Sequence, residues 1–144
     1  DSVWNAINTI DDCDIVVIHD GVRPLITTEV IEESIAAARL YGASAVGMPS
    51  KDTIKEVDEE GFSLHTPDRS RLWIIHTPQT FQLSLLKEAH KKALKEGFLG
   101  TDDSSLVERT GHPVKLVQGG YDNIKITTPE DLELAAAYLR HRGK

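Results

Sequence analysis

The chain has one cysteine, Cys13, in 144 residues. No internal disulfide can form, and a thiolate zinc site has no ligands. No apolar run approaches the ~20 residues that a membrane span needs, and no charged-then-apolar leader is visible. The six histidines are scattered, without a spacing such as His-Glu-x-x-His. Gly-x-Gly-x-x-Gly and Gly-x-x-x-x-Gly-Lys-Ser/Thr phosphate loops are both missing, as is the Gly-x-Ser-x-Gly elbow of serine hydrolases. Positive charge is scarce too: 16 Lys and Arg stand against 23 Asp and Glu, a net charge of −7. No basic block offers a footprint for duplex nucleic acid. The expectation is a cytoplasmic protein with neither a nucleic-acid nor a membrane partner. A small anionic ligand remains open to it, because a few placed cations and a metal are enough to hold one.

What is present is organised around Asp14-Ile-Val-Val-Ile-His-Asp-Gly-Val-Arg-Pro24. Ile15 to Ile18 is a mostly β-branched run without alternation, which predicts a strand buried on both faces. It ends in His19-Asp20-Gly21, at the carboxyl end of a strand, where open α/β sheets bind ligands. Asp20 offers a hard oxygen to Mg²⁺ and Arg23 a planar cation to a phosphate. The plain alternative is a loop cap paired with a surface arginine.

Upstream, residues 1–10 read as a helix with Val3, Ala6, Ile7 and Ile10 on one face and Ser2 as N-cap beside Asp1. Downstream, Thr27 or Thr28 caps a helix that buries Ile31, Ile35 and Ala38 and stops at Gly42. The small apolar run Ala43 to Met48 makes the next parallel strand, completing a β-α-β crossover. Residues 51–57 and 62–66 flank the polar turn Asp58-Glu-Glu-Gly61 and predict a hairpin. Its apolar surface is too small for a free-standing ribbon, so it is expected to project as an arm that makes a homodimer. Trp73 to Ile75 return to the core and His76 to Gln79 form a turn. A helix follows from about Leu83 to Glu96, with Leu86, Ala89 and Ala93 inward and Gly97 as its stop. Residues 101–109 make a short capped helix, Val114 to Val117 a strand, and Asp122 to Ile126 a short strand that isolates Lys125 from two buried Ile neighbours. Thr128 and Pro129 open a last helix to about Arg142. The chain thus reads as one α/β domain over residues 1–144, with a β-arm at about 51–75. Arg23, Thr53, Arg69, Thr101 and Lys125 are phosphate-compatible residues around one acid, Asp20. Each also has a plain reading: Thr101 as a helix cap, Thr53 as a strand residue, Arg69 as a solvated charge. Residue chemistry alone stops at an anionic ligand with a metal.

The ordered set His19-Asp-Gly-Val-Arg-Pro24, Asp52-Thr-Ile-Lys55, Thr66-Pro-Asp-Arg69, Leu72-Trp73, Thr77-Pro-Gln79, Asp122-Asn-Ile-Lys125 and Pro129-Glu-Asp131 resembles the 2-C-methyl-D-erythritol 4-phosphate cytidylyltransferases of the non-mevalonate isoprenoid route. The likeness runs from Asp1 to about Leu139. It implies a Rossmann-like nucleotidyltransferase fold, glycosyltransferase-A-like, as a three-layer sandwich with a projecting β-hairpin arm. It also implies that a preceding segment, carrying the Gly-rich loop and a catalytic Lys for CTP, is absent, and that these residues alone are inactive or nearly so.

By the same resemblance, Ser2 contacts the nucleotide and Asp20 holds the Mg²⁺ that bridges the CTP phosphates. Gly21, through its backbone, and Arg23 line the methylerythritol phosphate site, where the family usually has Ala-Ala in place of Gly21-Val22. Thr53 and Arg69 ride on the arm and serve the partner subunit's substrate. Thr101 and Lys125 complete the pocket, with Arg23 and Lys125 as the catalytic cations. The reaction implied is cytidylyl transfer from CTP with loss of pyrophosphate. Two alternatives stand beside it: a ribitol 5-phosphate cytidylyltransferase, whose segment around Lys125 is similar, and a non-catalytic dimerisation or anion-binding module.

Overall fold

The computed structural model describes residues 2–143. Its elements in order are α1 (Ser2–Ile7), β1 (Ile15–Ile18), α2 (Thr28–Tyr41), β2 (Ala43–Pro49), β3 (Glu56–Val57), β4 (Ser63–His65), β5 (Trp73–Gln82), α3 (Leu83–Glu96), α4 (Asp103–Arg109), β6 (Lys115–Gln118) and α5 (Pro129–Arg142). A 3-10 turn, Arg69–Arg71, precedes β5. The main sheet has the order β1-β5-β2-β6, and β3-β4 form a separate two-stranded ribbon. Helix α2 packs on one face of the sheet, and α3 and α4 pack on the other. This is the expected three-layer α/β sandwich.

β1 and β2 are parallel and joined by α2, as the crossover pattern implies, but they are not neighbours. The ten-residue β5 lies between them, antiparallel to both. β6 adds on parallel to β2. β1 is therefore an edge strand in this chain, half-buried, with Val17 36% exposed. The prediction of burial on both faces is corrected: a β-branched run predicts a strand, but not which strands flank it. β2 holds the central place, and six of its seven residues are buried.

β5 also overturns the expected turn at His76 to Gln79, because the chain stays extended through the cis Thr77–Pro78 peptide. The irregularity is absorbed opposite, where pairing with β2 shifts register between Ala45 and Gly47. A methyl group added at Gly47 would lie 2.7 Å from the Ile74 carbonyl oxygen, so the close approach of the strands needs glycine there.

The core on the α3 side gathers Phe81, Leu86, Ala89, Ala93, Val107 and Ile7. The three expected inward residues of α3 are all buried, and Gly97 ends the helix in the left-handed conformation, φ 64°. Thr27 caps α2 and Gly42 closes it, φ 92°. Thr128 opens α5 with a reciprocal capping box to Asp131. Backbone amides of Thr127 and Thr128 donating to the Asp131 carboxylate hold its pKa below the usual carboxylate value.

Three smaller expectations change. α1 ends at Ile7 rather than Ile10, and the Thr9 hydroxyl donates to the Ala6 carbonyl there, a local bond that competes with the helix. Ala6 is exposed, while Trp4 packs against the core. Ser2 is the first residue of the helix rather than its expected cap, and Asp1 lies outside the described residues. The hairpin is shorter than expected, with two and three residues per strand, closed by the Asp58 carboxylate accepting from the Glu60 and Phe62 amides. Val57, Phe62 and Leu64 are all more than half exposed, so the ribbon does project from the sandwich.

The N-terminus of α4 is capped by Asp102, not by Thr101. Asp102 accepts from the Ser105 amide at 2.8 Å, from Gln79 Nε2 at 2.8 Å and from the Ser104 hydroxyl at 2.9 Å. The Gln79 side-chain oxygen in turn accepts from the Ser104 amide at 3.0 Å. One carboxylate thus ties β5 to α4 inside the protein. Asp102→Ala removes the cap and takes from the buried Gln79 amide its shorter hydrogen bond, so we expect a loss of about 2 kcal/mol in urea unfolding. A loss below about 0.5 kcal/mol, within surface-substitution scatter, would show that the network is not holding α4.

Candidate functional site

The end of β1 delivers Asp20 and Arg23 into a crevice that two distant segments complete. The Asp20 amide donates to the Thr77 hydroxyl on β5 at 3.0 Å, and the same hydroxyl lies 3.0 Å from His19 Nδ1. Arg23 Nη1 donates to the Asn123 carbonyl oxygen at 2.7 Å, and Asn123 Nδ2 donates to the Thr77 carbonyl oxygen at 2.8 Å. The Ile126 amide donates to the Val22 carbonyl oxygen at 2.8 Å. These bonds bring residues about a hundred apart in sequence into one unit.

Residues 122–126 are a loop rather than the expected strand, tied to the Arg23 segment by the Ile126 and Asn123 bonds. Gly119 and Gly120 explain why. A methyl group at Gly119 would lie 2.7 Å from Val46 Cγ1, and one at Gly120 would lie 2.2 Å from Asp122 Oδ1, so the chain folds tightly where β6 ends. Lys125 is still turned outward, as expected, with Ile124 and Ile126 half-buried. Its Nζ is 3.3 Å from Asp20 Oδ2, and Arg23 Nε is 3.6 Å from the same oxygen. The second distance is too long for a hydrogen bond. Two cations therefore flank one carboxylate at the mouth of the crevice. The Lys125–Asp20 pair is half-exposed and of a type worth only about 0–1 kcal/mol, so stability does not account for the arrangement.

Burial, opposed by Asp20, lowers the Arg23 pKa, though a guanidinium stays charged at any ordinary pH. His76, next on β5, has its pKa lowered by burial and then by Arg23, so its imidazole is neutral at pH 7. Gly21 is exposed, and a methyl group there would meet nothing within 4 Å; the backbone faces open space.

The structure brings Asp20, Gly21, Arg23 and Lys125 together and leaves the other expected site residues elsewhere. Thr101 is exposed at the head of α4, in a groove of about 370 Å³ that Trp4, Phe98 and Asp102 also line. A threonine that residue type did not single out, Thr77, bonds the Asp20 amide; the sequence presents it inside Thr77-Pro78-Gln79, where it reads as a turn. Asn123 also escapes a reading by residue type, although it stands two places before Lys125. Ser2 is exposed on α1, outside the network. Thr53 and Arg69 lie with the ribbon, and Arg69 Nη1 donates to the Lys51 carbonyl oxygen at 2.9 Å, which fastens the base of the arm.

The α/β sandwich thus presents a cation-flanked acid at the end of β1. The profile of the IspD family, 2-C-methyl-D-erythritol 4-phosphate cytidylyltransferase, matches residues 1–141, and the chain belongs to that family. It is 64% identical over 140 residues to the 2-C-methyl-D-erythritol 4-phosphate cytidylyltransferase of Caldanaerobacter subterraneus subsp. tengcongensis, covering 96% of this chain and 62% of the relative. It is 51% identical to the enzyme of that name from Bacillus cereus, over all of this chain and 63% of the relative. The crystal structure of 4-diphosphocytidyl-2C-methyl-D-erythritol synthase from Anaerococcus prevotii superposes with a TM-score of 0.90 at 39% identity, over 96% of this chain and 63% of that one. The 2-C-methyl-D-erythritol 4-phosphate cytidylyltransferase of Thermus thermophilus gives 0.85 at 34% identity, over 96% and 68%. The chain thus spans a little over three fifths of the length of the curated relatives it matches.

The neutral His76 makes stability depend on pH. Its folded pKa lies below the ordinary 6.5, so below that pH the unfolded chain takes up a proton that the folded chain declines. Stability is complete above 6.5, falls as pH drops below it, and levels off beneath the folded pKa. His76→Gln should flatten the slope of unfolding free energy between about pH 5 and 7; an unchanged slope would mean that His76 titrates alike in both states.

Proposed function

We propose that this protein, in the length its relatives have, transfers the cytidylyl group of CTP to 2-C-methyl-D-erythritol 4-phosphate, giving 4-diphosphocytidyl-2-C-methyl-D-erythritol and pyrophosphate. The observation that carries the proposal is the pair of cations, Arg23 and Lys125, converging on Asp20 in a chain otherwise rich in acids. In this reading Arg23 and Lys125 receive the substrate phosphate and keep its attacking oxygen in line with the α-phosphorus of CTP. No covalent enzyme intermediate forms, so no nucleophile is needed. Holding two anions together and offsetting their charge supplies most of what such a transfer requires. Gly21 offers its backbone to the polyol, and Thr77 keeps the Asp20 turn in place beneath it.

Asp20 suits Mg²⁺. Among the described residues no group of three His, Cys, Asp or Glu could cage a metal, and Mg²⁺ commonly takes only one or two carboxylates together with substrate phosphates. When bound, the ion supplies charge neutralisation on the triphosphate. The Asp20 side chain is 38% exposed, which supports access of an ion to it.

The arm is assigned to a homodimer, with Thr53 and Arg69 serving the partner's substrate. The exposed apolar residues Val57, Phe62 and Leu64 support this. Ser2 is assigned to the nucleotide. CTP as a substrate places the activity in the cytoplasm, and no helix among the described residues is long and apolar enough to cross a membrane.

The test is pyrophosphate release from CTP and Mg²⁺ with methylerythritol 4-phosphate and ribitol 5-phosphate in parallel, by the full-length protein. Turnover with the first alone, within the ordinary enzyme range of about 1–10³ s⁻¹ and reduced at least ~100-fold by Asp20→Asn or Lys125→Ala, is expected. Turnover with ribitol phosphate alone would replace the substrate assignment, and none with either would leave an anion-binding module. Residues 1–144 alone should release pyrophosphate far below that range.

A further inference from the structure

Among the described residues, three buried side-chain nitrogen or oxygen atoms have no hydrogen-bond partner: Arg23 Nε, His76 Nδ1 and Asn123 Oδ1. They belong to one neighbourhood. Arg23 is bonded to Asn123 at 2.7 Å and lies close enough to His76 to depress its pKa. Buried polar atoms are normally paired, and leaving one unpaired is unfavourable. Three such atoms around one guanidinium are therefore hard to explain as packing. Asn123 is 2% exposed, and an apolar residue there would avoid the unpaired amide oxygen.

What Asn123 holds is more informative. Its backbone oxygen takes Arg23 Nη1, its side-chain nitrogen takes the Thr77 carbonyl, and its amide donates to the Gly120 carbonyl at 3.2 Å. It connects the Arg23 loop, the strand under Asp20 and the loop that presents Lys125. His76 immediately precedes Thr77 on β5, and its Nδ1 is buried and unpaired. Its carbonyl oxygen accepts from Gln79 Nε2 at 3.3 Å, which links it to the Asp102 network. A neutral imidazole there offers Nδ1 as an acceptor towards the free Arg23 N–H without adding charge.

We propose that Asn123 and His76 are positioning residues for the substrate phosphate, setting from behind the direction in which Arg23 presents its guanidinium beside Lys125. They touch no substrate themselves. The proposal rests on the polyol-phosphate reading given above and adds to it which residues aim its cations. The chemistry calls for one acceptor and no positive charge at position 76, and for a side-chain donor at position 123 that reaches the Thr77 carbonyl.

The full-length protein tests this in two ways. In steady state, Asn123→Ser and His76→Leu should each raise KM for methylerythritol 4-phosphate about tenfold or more while KM for CTP stays within about twofold. His76→Gln, which restores a neutral acceptor, should recover most of what His76→Leu loses. A lower kcat with both KM values unchanged, or both raised equally, marks a merely structural role and overturns the proposal. Independently of activity, the Arg23 Nε–H resonance should be a distinct, slowly exchanging signal in the wild type. It should move towards the averaged position of solvent-exposed arginines in Asn123→Ser and His76→Leu, but much less in His76→Gln. A resonance unmoved by either substitution refutes the proposal. Should the wild type turn over neither polyol phosphate, the functional reading fails, and this resonance still decides whether Asn123 and His76 aim Arg23.

Discussion

The hydrogen bond from Arg23 Nη1 to the carbonyl of Asn123 is the constraint on which the crevice depends. It joins a loop after β1 to a loop after β6, strands at opposite edges of the sheet. Between those edges, β5 and β2 each carry an irregularity within the strand. β5 runs extended through Thr77–Pro78, and β2 shifts register at Ala45 and Gly47 to match. The Asn123 amide then reaches the Thr77 carbonyl, and the Thr77 hydroxyl accepts from the Asp20 amide. A charged donor bonded to a carbonyl is among the stronger single contacts a protein makes. Here it fixes direction more than it adds stability, since the ion pairs it arranges are half-exposed.

Charge gives the crevice its character. The chain is acidic overall, at −7, and an acidic surface repels phosphates. Two cations set against a single carboxylate reverse that locally. Arg23 is partly withdrawn from water, so its field is less screened than that of a surface arginine. His76 nearby stays neutral, because burial first and the charge of Arg23 second disfavour its protonated form. Acid therefore threatens the arrangement from within, because protonating His76 opposes Arg23.

The helices were legible from punctuation. Thr27 and Gly42 bracket α2, Gly97 stops α3, and Thr128-Pro129 opens α5, each by local backbone chemistry that needs no neighbour. Strand partners were not. The Ile15–Ile18 run announces a strand, yet its edge place and antiparallel partner depend on β5, some sixty residues later. β5 itself was hidden at His76 to Gln79, because proline punctuates a sequence as a turn even where the tertiary structure accommodates it within a strand. The site divides in the same way. Asp20, Arg23 and Lys125 carry their chemistry in the residue type, and the structure brings them together. Thr77, His76 and Asn123 matter through what they touch, which no spacing reveals.

The central claim is that Arg23, held from behind and facing Asp20 and Lys125, makes the anion site. The most direct measurement is calorimetric titration of the full-length protein with methylerythritol 4-phosphate in the presence of Mg²⁺ and CTP product analogue, comparing wild type with Arg23→Gln. The account predicts saturable binding that weakens at least about tenfold in the variant, roughly 1.4 kcal/mol, with thermal unfolding little changed. Equal affinity in the two proteins would contradict it and place the phosphate elsewhere.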